Sequence, residues 1–186
     1  MIDLYPPQKT FLGSILLSHP SLNDPHFFHS VILISSYDER NGSVGLIINK
    51  PLGKNLGNID SSLLGEALGN VPLFIGGPVS PKQITIVGWK WSPQEQEVRF
   101  YFGLSVEKAR ALLKVEPNIE IRAFLGYSKW VIGQLEQEIQ SNNWIFSSIN
   151  SIILGSVPID ELWHSMVVNE KPEFDLFYPP TDPSLN

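Results

Sequence analysis

The stretch Leu125–Trp144, LGYSKWVIGQLEQEIQSNNW, brings a strand end, a turn and a helix start into one short span, and its reading decides the fold. Ahead of it, Ile121, Ala123 and Leu125 alternate with Arg122 and Phe124, the period of a strand with one face turned inward. Gly126 is expected to stop that strand. The next element reads as a helix from about Gly133 to Asn142, because Gly is an acceptable N-cap and Gln134, Leu135 and Glu136 then fill the first helical positions. Glu136 and Glu138 fall near the positive end of the helix dipole, which favours a carboxylate by roughly 0.3–1 kcal/mol. Leu135 and Ile139, four apart, share the inward face, and Asn142 and Asn143 lead out to Trp144.

Around this stretch, 186 residues suit one domain, and a hydrophobic fraction of 42% with 11% aromatics is that of a globular chain. The formal net charge is -6, and the 13 Lys and Arg are scattered among 19 acids, which opposes general nucleic-acid binding. The absence of Cys removes disulfides, thiolate nucleophiles and Cys-based metal centres. Met1–Pro7 lacks the basic start and apolar core of a secretory signal, and no apolar run approaches the ~20 residues of a membrane helix. A soluble cytoplasmic protein with no membrane association is expected.

Working outward, Gly13–Leu17 reads as a buried strand and Asp24-Pro25 as a helix start of one turn through Phe28. Val31–Ser35 and Val44–Ile48 form an apolar hairpin that Pro51 ends. Leu52–Asn70 reads as a loop around a short helix near Ser61–Leu68. Leu73–Ile75, Ile84–Val87 and Val98–Phe102 read as strands, with a turn from Pro93 to Glu97 between the last two. Ser105 caps a helix through about Leu113, a last helix spans Pro158–Val167, and a Pro-rich acidic tail follows from Lys171. About six strands and four helices, with hairpins adjacent in sequence, indicate an α+β domain over residues 1–186.

Gly126-Tyr127, Trp130, Gly133-Gln134-Leu135-Glu136, Glu138 and Trp144 resemble the LGY-x-x-W-x-x-GQLE-x-E motif of the YqgE/AlgH family of bacterial proteins. Pro20–Pro25 with Phe27 and Ser30-Val31, Gly45 through Asn49-Lys50-Pro51, and Gly76-Gly77-Pro78-Val79 are similar to three further motifs of that family, in the same order. The resemblance implies a bifurcated mixed sheet folded into a pseudo-barrel with helices packed outside. It implies no biochemical activity, since the family has none assigned; its members have sometimes been called transcriptional regulators. The chain departs from the family pattern at Ser35-Ser36-Tyr37, Ser43 and Val87-Gly88-Trp89, so any activity resting on a Cys or His there does not carry over.

The candidate chemistry is diffuse. His26 and His29 beside Asp24 offer two imidazoles and a carboxylate, but the helix is short and a third ligand at fixed spacing is missing, so no metal and no cofactor are expected. Ser105-x-x-Lys108 matches the spacing of some acylating enzymes, yet a capped helix explains it fully. The remaining polar set is Asn49, Gly76, Gly77, Tyr127, Gln134 and Glu136, with Glu138 beside it. Gathered together, glycine-turn amides could hold an anion or carbonyl with Glu136 as proton acceptor. The structural reading is preferred: Asn49 ties down a strand end, Gly77 takes a positive φ, and Glu136 serves its own helix start. Trp130 either folds inward or forms a partner contact. The function expected is a non-catalytic binding or regulatory module acting through a protein partner or small ligand; an enzyme built on Glu136 is the alternative and a direct DNA-binding regulator the third.

Overall fold

The computed structural model describes residues 13–38, 40–92, 97–116, 118–149 and 157–176. Among these, nine strands form one mixed sheet: β1 (Ile15–Ser18), β2 (Val31–Asp38), β3 (Gly42–Ile47), β4 (Pro51–Asn55), β5 (Pro72–Ile75), β6 (Val79–Ser92), β7 (Glu97–Tyr101), β8 (Glu120–Trp130) and β9 (Trp144–Ser147). Three α-helices accompany them, α1 (Val106–Val115), α2 (Gln134–Gln140) and α3 (Leu162–Glu170). The sheet order is β4-β5-β8-β3-β2-β1-β9, with β6 also on β8 and β7 on β6. The curled mixed sheet is a half-barrel, an α+β fold.

β8 is the strand on which the sheet divides. Its first half pairs antiparallel with β6, Ile84 opposite Leu125 and Val87 opposite Arg122, and parallel with β5, Leu73 opposite Ala123. Its second half pairs with β3, Gly45 opposite Ser128 and Ser43 opposite Trp130, while the start of β6 stays beside it at Val79 opposite Tyr127. Gly126 lies between the halves at φ +68°, and an added Cβ there would sit 2.4 Å from the Gly77 carbonyl oxygen. The expectation that Gly126 stops the strand is therefore corrected. A left-handed residue breaks the pleat, but the ladder resumes against a new partner, so the strand runs on to Trp130.

The alternation of β8 separates two packed faces. Ile121 and Ala123 join Leu73, Ile86 and Ala109 under α1, while Phe124 joins Leu33, Leu46, Phe74 and Trp89 under α3. A third cluster, Leu16, Ile32, Ile34, Ile47, Trp130, Leu135 and Trp144, lies under α2. Arg122 shares the Phe124 face and is only 9% exposed. Its guanidinium stands 4.7 Å from the Phe74 ring centre and 4.8 Å from that of Trp89, and Nη1 donates to the Ile48 carbonyl at 3.0 Å. Two rings, a backbone acceptor and Glu120 compensate the burial of this charge.

Other elements differ from the reading of the sequence. Pro51 begins an edge strand, a position where its missing N–H faces away from the ladder. The expected helix at Ser61–Leu68 is instead a series of short 3₁₀ turns at Leu56–Asn58, Ser61–Leu63 and Ala67–Asn70. Asp24-Pro25 forms a turn, in which Asp24 Oδ1 accepts from the His26 and Phe27 amides. β6 extends well beyond Ile84–Val87, β9 went unread, and α3 starts at Leu162. Ser105 does cap α1, its Oγ accepting from the Lys108 amide. Residues 93–96 of the expected turn and residues 177–186 of the expected tail lie outside the described residues. No helix among the described residues is long and apolar enough to cross a membrane.

Candidate functional site

The motif on β8 and α2 is built around one carboxylate. Gly133, at φ +75°, turns the chain from β8 into α2, and Gln134 folds back so that its Oε1 accepts from the Val131 amide at 3.0 Å. One turn later, Glu138 Oε1 accepts from Gln134 Nε2, and Oε2 accepts the indole N–H groups of Trp130 and Trp144. Trp130 is 2% exposed and packs against Phe27 and Trp144. Of its two expected fates it takes the inward one, which corrects its nomination as a partner contact: its ring is not presented at the surface. Gln134 is likewise committed to the inside of the motif.

The other nominated residues also serve the scaffold. Asn49 Oδ1 accepts from the Val31 amide at 2.8 Å and Nδ2 donates to the His29 carbonyl at 2.9 Å, so it ties the start of β2 to the end of β3. Gly76, Gly77 and Tyr127 are brought together as a close crossing of backbones. A Cβ on Gly76 would meet the Gly126 carbonyl, and one on Gly77, at φ +154°, the Tyr127 carbonyl. Tyr127 packs half-buried on the largest cluster. Glu136 is half-buried, and the Tyr37 hydroxyl donates to its Oε1 at 3.4 Å. Asn49 bonds to Val31 and Glu136 to Tyr37, at opposite ends of β2, about 20 Å apart at the rise of an extended strand. The structure does not gather Asn49 and Glu136 into one site.

His29 departs from the reading of a solvated helix residue. It adopts φ +49° and its ring stacks at 3.7 Å on both Phe28 and Trp163. Burial first, then the charges of Lys50 and His164, holds its pKa below the ordinary imidazole value. The described residues contain no group of His, Asp and Glu arranged to hold a metal ion.

Glu136 lines a cavity of about 360 Å³ between the end of the β2–β3 hairpin and the β8–α2 turn. Tyr37, Asp38, Gly42 and Ser43 form one wall, and Val131, Ile132 and Gly133 the other. Val131 and Ile132 are 65% and 63% exposed, an apolar pair held outward by the Gly133 and Gln134 geometry. Asp38 Oδ1 accepts from the Arg40 and Asn41 amides, and these bonds, Arg40's foremost, hold its carboxyl below the usual carboxylate range. The sequence offered a signal for this surface that was not read: two β-branched residues just before a left-handed helix cap cannot both face the core. A larger cavity of about 470 Å³, between the end of α2, β9 and the end of α3, contains none of the nominated residues.

The sequence model described as AlgH-like matches residues 15–174. A UPF0301 protein of Legionella pneumophila strain Lens is 36% identical over 164 residues, covering 83% of this chain and 87% of that protein. Another, from Thioalkalivibrio sulfidiphilus, is 30% identical over 84% of this chain and 88% of its own length. Two solved structures share the fold: protein DIP2367 of Corynebacterium diphtheriae, with a TM-score of 0.69 at 20% identity over 95% of this chain and 94% of that one, and the AlgH protein of Pseudomonas aeruginosa, at 0.63 and 22% over 98% and 99%. The matched span contains the Gly126 pivot, the Glu138 network and the Glu136 cavity, and the chain belongs to the AlgH-like family.

Proposed function

We propose that this protein is a non-catalytic binding module of the cytoplasm, regulating a protein partner through the Val131–Ile132 turn and the cavity beside Glu136. The observation that carries this reading is the exposure of those two apolar side chains on a fixed turn, next to a half-buried carboxylate. The side chains of Asn49 and Gln134 are spent on backbone groups and on Glu138. Exposed apolar side chains with a polar rim are the composition of a contact surface.

The enzyme reading loses support from geometry, because the Asn49 donor lies far from Glu136 along β2. Direct DNA binding is disfavoured by the same surface, whose cavity is lined by two carboxylates and no Lys or Arg. Photo-crosslinking in living cells tests the proposal. A photoreactive residue at position 132 is expected to yield a discrete protein adduct that positions 64 and 115 do not, although Leu64 and Val115 are as exposed. Identical adduct patterns from all three positions would remove the proposal.

A further inference from the structure

Building on that reading, we propose that the partner's docking segment is basic and apolar: an arginine or lysine enters the cavity between Asp38 and Glu136, and an adjacent apolar side chain rests on Val131 and Ile132. The two titratable carboxyl groups of the lining have the same sign, and neither forms an ion pair with a cation among the described residues. Arg40 touches Asp38 through its backbone amide. Glu136 Oε1 takes the Tyr37 hydroxyl, and among the described residues nothing donates to Oε2, which leaves a carboxylate edge for a fork of N–H donors.

Size and charge agree with this occupant. A cavity of about 360 Å³ lies at the small end of ligand sites, suited to one or two side chains rather than a dinucleotide-sized molecule. The cation would meet an exposed carboxylate at Asp38 and a half-buried one at Glu136, and at the half-buried one a charged hydrogen bond is stronger than on open surface. The formal net charge of -6 steers a basic segment toward the protein and an acidic one away. Val131 and Ile132, beside the mouth, give the segment an apolar footing that free amines would not use, so the preferred ligand is a peptide.

The test selects peptides from a random dodecamer display library on the immobilised full chain, then measures the recovered peptides by fluorescence anisotropy. Peptides with Arg or Lys next to Leu, Ile or Phe are expected. Their affinity should fall roughly tenfold on Glu136→Gln, the cost of one charged hydrogen bond, and by a similar factor when the peptide cation becomes Gln. The two losses should not add, because they remove one contact. Peptides lost on Ile132→Ser but lacking a cation and indifferent to Glu136→Gln and Asp38→Asn would overturn the basic-segment inference while leaving the binding surface intact. Peptides indifferent to Ile132→Ser as well would overturn both.

Discussion

Trp130 and Trp144, fourteen positions apart on β8 and β9, donate their indole N–H groups to the same oxygen, Glu138 Oε2, at 2.8 and 2.7 Å. Both rings are almost fully buried, so neither N–H has water as an alternative. Glu138→Ala leaves two buried donors unsatisfied and is expected to cost roughly 2–5 kcal/mol, a melting shift of about 4–20 °C for a chain of this size. Glu138→Gln keeps an acceptor and should cost less. A urea melt showing Glu138→Ala within 1 kcal/mol (about 2–4 °C) of the parent would show that the rings find other partners.

Glu136, two residues earlier, is expected to behave oppositely. Its one described hydrogen bond, from Tyr37, is long, and the side chain is half-exposed on the cavity wall. Glu136→Gln should therefore melt within about 0.5 kcal/mol of the parent, as surface substitutions do. A large destabilisation would make Glu136 part of the scaffold and weaken every functional argument built on it.

Gly126 and Gly53 share φ +68° but differ in surroundings. A Cβ at Gly53 meets nothing within 4 Å, whereas one at Gly126 meets the Gly77 carbonyl at 2.4 Å. Gly53→Ala is expected to cost about 1–2 kcal/mol from the left-handed backbone alone. Gly126→Ala should cost more than about 4 kcal/mol or fail to fold. Equal losses in parallel chemical melts would mean that the two backbones part to admit a methyl group.

Arg122 is the buried cation of the inner face, and Lys cannot reproduce its planar stacking between Phe74 and Trp89. Arg122→Lys is expected to lose roughly 1–3 kcal/mol through the stack and the Ile48 contact. Arg122→Leu, which removes the charge but fills the space, should lose less than Arg122→Ala. Denaturant midpoints of the three variants give the order directly, and Arg122→Lys matching the parent would discount the stacking.

Stability should fall on mild acidification. His29 is held below the ordinary imidazole value by burial, then Lys50 and His164; His19 is held below it by burial, then Lys171. The unfolded chain then binds more protons than the folded one below about pH 6.5. The contribution is complete above that pH and is lost as pH falls through the lower folded values. His29→Asn, which tolerates the positive φ, should flatten the dependence of melting temperature on pH between about 8 and 5. An unchanged slope would place the titration elsewhere.

The sequence carries the parts of this fold whose causes are local. The apolar run of β2, the Ser105 cap and the Gly133 start of α2 were read from neighbouring residues and occur where expected. What escaped is non-local. Gly126 looks like a stop because the strand that resumes the ladder, β3, lies far back in the chain. β4 is short, exposed and begins with Pro, which hides an edge strand from periodicity. Glu138 resembled its neighbour Glu136 until the two indoles, one on β9, identified it as the centre of a buried network. The Glu136 cavity needs the tip of the β2–β3 hairpin, a juxtaposition that no spacing within the motif encodes.

The central position of β8 has a consequence for how the chain is made. β3, β5 and β6 all precede it in sequence, yet each pairs with it. During synthesis those strands leave the ribosome without their shared partner and hold apolar faces and open edges until Trp130 has emerged. Pairings of such long sequence separation form slowly, and the waiting strands are exposed to aggregation in the interval. A chain stalled before Trp130 lacks the one strand that β3, β5 and β6 share, and completion of β8 closes those edges.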